Sequence, residues 1–354
     1  PPARTDFLPA AAQAVLRGKT TVSPTLIEGY FTCPYRNFAE RGLALAEREE
    51  RSVLSLDTGN FVHELLRRLA GQVSSLADEP ACRAWLEGEA ARMLAEPPFC
   101  YLSDTGEGGY ASRALAAEGV RAGLHVFEQL RGSSFTVAAA EQSFGYPSSP
   151  MRGVPLRAGG QTYTLAGKID RVDRSDGYVR VVDYKTGKID TDAEAYYTGR
   201  KLQLELYLAA ASAGREPAGA YYFPAGGSFC DKGEEPYCMQ GYTRGDDEVI
   251  RRSDNAVKEG EKSRFIGVYR GGRATKERLA PEVFGPFLQY AALVAERGVG
   301  ETAEGCIAPS PYKDACKYCP YGALCGYDPG DGAREEKGVK AEDIAAIVRR
   351  RKGE

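Results

Sequence analysis

The chain has 354 residues, with 46 Lys and Arg against 49 Asp and Glu and a formal net charge of −3. That balance excludes a globally basic nucleic-acid binder, so any contact with nucleic acid must come from local patches or a metal. With 43% hydrophobic and 27% charged residues the composition is ordinarily globular, with room for one large domain or two smaller ones, and no apolar run approaches the roughly 18 residues of a membrane span.

Residues 1–20 read as a linker: they lack the charged-then-apolar order of a secretory signal, and they begin with Pro1, as expected of a processed chain or an excised piece. "VSPTLIEGYFTCPYRNFAERGLAL" (22–45) predicts one helix, with Ser23 as cap, Pro24 at the first helical position and Gly42 as its stop. "DTGNFVHELLRRLAGQ" (57–72) predicts a second, with Phe61, Leu65, Leu66 and Leu69 on one side. Residues 78–96 and 111–131 complete a helical segment, 21–135. The period then changes. "SFTVAAAEQSFGY", "QTYTLAGKIDRVDR" and "GYVRVVDYKTG" predict three strands, "KLQLELYLAAASAG" a helix ending at Gly214, and "AGAYYFP" a short strand, giving a core over 136–224. Residues 225–280 are rich in Gly and charge and read as an irregular insertion with a hairpin. "PEVFGPFLQYAALVAERG" predicts a helix, followed by a cysteine cluster within 281–330, and 331–354 form a charged tail whose "AEDIAAIVRRRK" is helical. There is no internal repeat. Helices, then strands, a helix and a strand give an α+β fold and not a run of βαβ units.

The chemistry concentrates around "RSDGY". Asp176-Gly177 is a strong two-residue hairpin signal. That turn sets Asp170 directly opposite Asp183, with Cβ atoms about 4.5–5.5 Å apart, and Lys185 on the same face. Two bare carboxylates face to face repel. Lys185 compensates part of that charge and a divalent cation more; oxygen ligands of this kind suit Mg²⁺ or Mn²⁺. Such an ion binds a phosphate oxygen and acidifies water, while Lys185 orients that water or stabilises developing charge. A surface hairpin with salt bridges is the plainer alternative. Glu141 ends an apolar strand, where it either approaches the site or is solvated. Gln203 and Tyr207, at i and i+4, share a helix face.

Nine cysteines, an odd number, argue against a disulfide framework and for a reducing, cytosolic compartment. Cys316, Cys319 and Cys325 lie in a C-x2-C-x5-C run, with Cys33 far upstream; four thiolates suit either Zn²⁺ or an iron–sulfur cluster. The pairing joins the start of the chain to its end. Cys82, Cys100, Cys230, Cys238 and Cys306 read as ordinary small residues.

Asp170, "VVDYKTGK", "KLQLELY" and "GNFVHELL" together resemble the RecB-like branch of the PD-(D/E)xK nuclease superfamily, whose fold is a restriction-endonuclease-like mixed sheet flanked by helices. "SPTLIEGYFTCPYRNFAERGLAL" and "ACKYCPYGALCGYDP" look most like the C-terminal nuclease domain of the AddB family, over about residues 20–330. The resemblance implies metal binding by His63, Asp170, Asp183 and the Tyr184 carbonyl, catalysis by Lys185, support or DNA contact from Gln203 and Tyr207, and a [4Fe–4S] cluster on Cys33, Cys316, Cys319 and Cys325. It further implies a bacterial, cytoplasmic Mg²⁺-dependent DNA exonuclease that degrades the 5′-terminated strand at a double-strand break beside an AddA-like helicase–nuclease partner. The rivals are a stand-alone CRISPR-adaptation-type iron–sulfur nuclease and a catalytically idle DNA-binding scaffold. No G-x-x-x-x-G-K-[ST] loop occurs in these residues, so no motor activity is expected of them. Candidate phosphate contacts are Arg36, Arg171, Lys188, Arg200, Lys201 and the 251–276 stretch, with Tyr35, Tyr196 and Tyr197 as stacking platforms.

Overall fold

The computed structural model describes residues 8–45, 55–103, 108–226 and 236–353. Its strands are β1 (Thr21–Val22), β2 (Thr136–Phe144), β3 (Val154–Ala158), β4 (Gln161–Leu165), β5 (Gly167–Ser175), β6 (Tyr178–Lys185), β7 (Glu216–Pro224), β8 (Gln240–Arg244), β9 (Tyr269–Arg270), β10 (Arg273–Ala274) and β11 (Arg278–Leu279). The helices are α1 (Pro9–Leu16), α2 (Pro24–Thr32), α3 (Pro34–Asn37), α4 (Ser55–Ala70), α5 (Glu79–Ala95), α6 (Gly108–Arg131), α7 (Ala193–Tyr197), α8 (Gln203–Ala211), α9 (Asp247–Ser253), α10 (Pro281–Ala303), α11 (Gly322–Cys325) and α12 (Ala341–Lys352). Among the described residues the main sheet has six strands in the order β11-β8-β7-β6-β5-β2. Only β6–β7 and β8–β11 are parallel in it. This is an α+β fold.

The β5–β6 hairpin forms as its sequence dictates. Ser175 pairs with Tyr178, and the register runs to Arg171 opposite Val182, which leaves Asp170 level with Asp183. Asp176 takes φ 47°, a left-handed conformation that a short polar side chain tolerates. Alternation then splits the two faces. Val179 and Val181 join the core under α8 and α10, whereas Val182 and Tyr184 join the one under α4, α5 and α6. On this second face Arg171, Asp173 and Arg180 are fully buried; Asp173 takes Arg171 Nε at 3.0 Å and Arg180 Nε at 2.9 Å.

Four expectations need correction. The helix over 22–45 is broken at Cys33, whose φ of −165° and ψ of 119° are extended, because the residue before Pro34 is pushed out of the helical region. The Ser23 cap survives, its hydroxyl accepting from Leu26 N–H at 3.2 Å. "QTYTLAGKIDRVDR" is two strands in two sheets: β4 pairs with β1 and β3, and β5 enters the main sheet. β3 went unread. Finally, 225–280 is not simply irregular. β8 and β11 extend the main sheet, while the expected hairpin is present as β9–β10, turned at Gly271-Gly272.

Glu205, on α8, is 6% exposed beside a small cavity lined by Tyr196, Tyr222 and Tyr242. Burial, with a smaller contribution from Glu28, pushes its carboxyl up from 4.5 to about 8. The folded chain therefore keeps a proton that the unfolded chain has released, and stability is lost as pH rises from about 4.5 through 8. Glu205→Gln, neutral at every pH, is expected to melt like wild type at pH 5 and to gain stability on the order of 3 kcal/mol over it by pH 8; paired urea titrations across that range check this.

Candidate active site

The opposed acids sit at the strand end between α4 and α8. Phe61, Val62, Leu65, Leu66 and Leu69 anchor α4 in the core, and this leaves His63 over the β5–β6 end. His63 Nδ1 lies 3.3 Å from Asp170 Oδ2, its ring stands edge-on to Tyr184, and it shares a hydrogen bond with the Tyr184 backbone. Burial lowers its pKa more than the charges of Asp183 and Glu141 raise it. Asp170 Oδ2 also accepts from Tyr184 N–H at 2.8 Å. Burial first, then the charge of Asp183, raises Asp170 to about 8; the Tyr184 N–H and Lys185 pull it only partly back.

Asp183 is held from two sides. Gln203, the first residue of α8, donates Nε2 to Oδ1 at 2.7 Å, and Lys185 Nζ lies 2.7 Å from Oδ2, a buried oxygen with no other donor. Tyr207, one turn along α8, hydrogen-bonds to Gln203 and packs edge-on against Phe144. The structure thus brings His63, Asp170, Asp183, Tyr184, Lys185, Gln203 and Tyr207 to one place.

It adds Glu141. Ala140 pairs with Arg171 and Gln142 with Ile169, so Glu141 is level with Asp170. Its φ of 52° is left-handed inside a strand, a strained conformation for a residue with a side chain. One ligand atom from each of His63, Glu141 and Asp170 lies within 4.8 Å of the other two. Asp183 stands just outside it, engaged by Lys185 and Gln203. One nitrogen and several carboxylate oxygens suit Mg²⁺ or Mn²⁺ better than a thiophilic ion. The cleft in front is lined by Asn60, Arg68, Phe99 and Lys168 among others. Its cations Arg68 and Lys168 escaped the sequence reading.

Two candidate DNA contacts are corrected. Arg171 is fully buried against Asp173, Gln129 and Tyr184, because it alternates to the face opposite Asp170. Tyr196 is 2% exposed and donates to the Phe287 carbonyl, so it is no stacking platform. Tyr197 stacks on Tyr290, Tyr35 donates to Leu324, Arg200 covers the Tyr312 ring at 3.6 Å, and Arg36 pairs with Glu40. In the 251–276 stretch Arg252, Lys258, Arg264 and Lys276 are ion-paired.

Cys33, Cys316, Cys319 and Cys325 are neighbours. Burial and the charges of the other three all raise the Cys316 thiol. None of the four is in a disulfide; Cys230 lies outside the described residues. The two ends of the chain are stitched beside them, Tyr312 N–H to the Thr32 carbonyl at 2.9 Å and Arg334 to the Phe31 carbonyl at 2.6 Å.

The profile of the PD-(D/E)XK nuclease superfamily matches residues 21–326. The chain belongs to this superfamily. Among curated relatives it is 30% identical to the B-type polypeptide of the ATP-dependent helicase/deoxyribonuclease of Desulforudis audaxviator, covering 88% of this chain and 30% of that protein. Proteins of the same description from Lysinibacillus sphaericus (27%; 94% and 32% covered) and Moorella thermoacetica (29%; 92% and 32% covered) are similarly close. The chain spans about a third of the length of these relatives. No helix among the described residues is long and apolar enough to cross a membrane. Superfamily members cut phosphodiesters with a metal, and Glu141 places a ligand atom within 4.8 Å of those of His63 and Asp170. Glu141→Gln is expected to weaken Mn²⁺ binding at least tenfold, roughly the scale of losing a metal-site partner. The metal-free variant should stay within about 1 kcal/mol of wild type, since it loses the partly exposed Lys168–Glu141 ion pair while easing the charge beside Asp170; calorimetric titration and urea melts test both.

Proposed function

We propose that this chain is the DNA-cleaving domain of an AddAB-type helicase–nuclease, a Mg²⁺-dependent exonuclease acting on the 5′-terminated strand during double-strand-break repair beside an AddA-like partner. The observation that carries the reading is the convergence of Asp170, Asp183 and Lys185 on one strand end with His63 and Glu141 beside them. The description of the relatives as components of a helicase/deoxyribonuclease supports DNA as substrate and a helicase partner.

His63, Glu141, Asp170, Asp183 and the Tyr184 carbonyl would hold the ion. When bound, it supplies charge to a phosphate oxygen and acidifies a water. Asp170, raised to about 8, would hold the ion only in its deprotonated form. Lys185 carries its ammonium on the same face as both acids, where it orients the attacking water and meets charge developing on the phosphate. Gln203 fixes the Asp183 carboxylate, and Tyr207 fixes Gln203. Lys168, which pairs with Glu141, and Arg68, which pairs with Glu64 and Glu89, line the cleft, and phosphates of the incoming strand would compete for them.

For the thiols the same reading assigns a [4Fe–4S] cluster. Zinc sites usually show two C-x2-C knuckles, whereas here one ligand, Cys33, stands far from the C-x2-C-x5-C run. That asymmetry supports the cluster over zinc.

Digestion of end-labelled single- and double-stranded DNA with Mg²⁺ tests the activity. Asp183→Ala should lose cleavage by at least 100-fold, and equal activity in the two proteins would discard the enzymatic reading. Anaerobically purified protein should be brown, with about four irons per chain by elemental analysis. Cys33→Ser should lose the colour, and a colourless wild type carrying one zinc would refute the cluster.

A further inference from the structure

Glu28 belongs to none of the ligands above, yet its carboxylate is committed. It lies on α2, slightly more than one turn before Cys33. Its Oε1 accepts from the backbone N–H of Leu202 at 2.6 Å and of Gln203 at 2.8 Å. These are groups at the start of α8 that have no intrahelical acceptor, and Leu202 has no side chain to cap them. An acid from a helix some 170 positions away thus does the work of an N-cap and meets the positive end of the helix dipole. The helix it caps begins with Gln203, whose amide holds Asp183 Oδ1 at 2.7 Å. Phe31, three residues after Glu28, presses on Gly199, where φ is 84° and a Cβ would collide with the ring. α2 is therefore fixed against the approach to α8 at two points. Lys201 and Lys185 lie near enough to temper the carboxylate's charge.

We propose that Glu28 is a positioning residue for the metal site: by capping α8 it sets the height of Gln203 and, through it, the orientation of Asp183. The proposal rests on the metal-site reading above. It predicts a geometric and not an electrostatic requirement at position 28. Glu28→Gln keeps an oxygen at the same reach without the charge, and Glu28→Asp keeps the charge but withdraws it by one methylene.

Calorimetric titration of the chain with Mn²⁺, without DNA, reads the effect, and melting curves on the same samples establish that each variant is folded. Glu28→Asp should raise the dissociation constant about tenfold, as should Gln203→Ala. Glu28→Gln should stay near wild type. Glu28→Asp/Gln203→Ala should bind no more weakly than Gln203→Ala alone, because both changes release the same side chain. A loss in Glu28→Gln with Glu28→Asp near wild type would mark a charge effect, equal losses in both would mark a requirement that is not reach alone, additive losses would mark independent actions, and unshifted affinity would mark no coupling; each overturns the assignment. Wild-type protein that binds Mn²⁺ but leaves DNA intact counts against the nuclease reading alone.

Discussion

Two carboxylates forced together at a buried strand end are the constraint on which this structure turns. Asp170 is 8% exposed and Asp183 3%. At an effective dielectric constant of 20, like charges about 5 Å apart repel by about 3 kcal/mol, before desolvation is counted. The fold keeps the pair by giving each acid a different environment. Asp183 receives the charged donor, Lys185, and the amide of Gln203. Asp170 receives the Tyr184 N–H and a His63 that burial keeps from protonating readily, and it is left to retain its own proton near neutral pH. The asymmetry lets the metal-free protein fold without two ionised acids side by side.

The alternation of the strands shares the same hairpin between chemistry and architecture. Asp170 and Asp183 open on the site, and their neighbours Arg171 and Tyr184 turn to the opposite face. There Arg171 bonds Gln129 at 2.7 Å and approaches the Tyr184 hydroxyl, while Asp173 bridges Arg171 and Arg180. A buried network with two cations and one anion is a poor source of net stability, but it tolerates only one register. A slip of one residue would turn the opposed acids under α4–α6 and drive the arginines into the apolar core under α8 and α10. The triad thereby protects the geometry that the opposed acids need.

How much of this was legible follows from which interactions are local. Asp-Gly fixes a turn, a turn fixes a register, and period-2 alternation fixes a face, so the meeting of Asp170, Asp183 and Lys185 could be counted out. The same parity should have removed Arg171 from the phosphate contacts, since the neighbour of a site-facing residue points away. The break at Cys33 also had its signal in Pro34. Glu141 was half legible: its place at the end of an apolar strand allowed either the site or solvent, and its φ of 52° has no residue-type signal. Other features had none. Glu28 caps a helix to which it is not adjacent in sequence. β8 joins the sheet by pairing with β7 across 225–239, a stretch whose glycines and charges carried no strand periodicity.

The seam between the two ends of the described chain runs beside the four cysteines. Bringing Cys33 to Cys316 closes a loop of roughly 280 residues, an entropic cost of about 5 kcal/mol before the constant term. The two sides of the seam meet that cost unequally. α2 buries Leu26, Ile27, Tyr30 and Phe31 in the main core, so its place, and with it the Glu28 cap on α8, is secured by apolar contact. The segment 307–336 has little besides Pro311, Tyr312 and Tyr321 below the surface. Its hydrogen bonds to Thr32, Phe31 and Tyr35 contribute about 1 kcal/mol each. The proposed cofactor on the four thiols would therefore fasten the C-terminal segment to a framework that already stands, and its loss would loosen 307–336 before it disturbed α2.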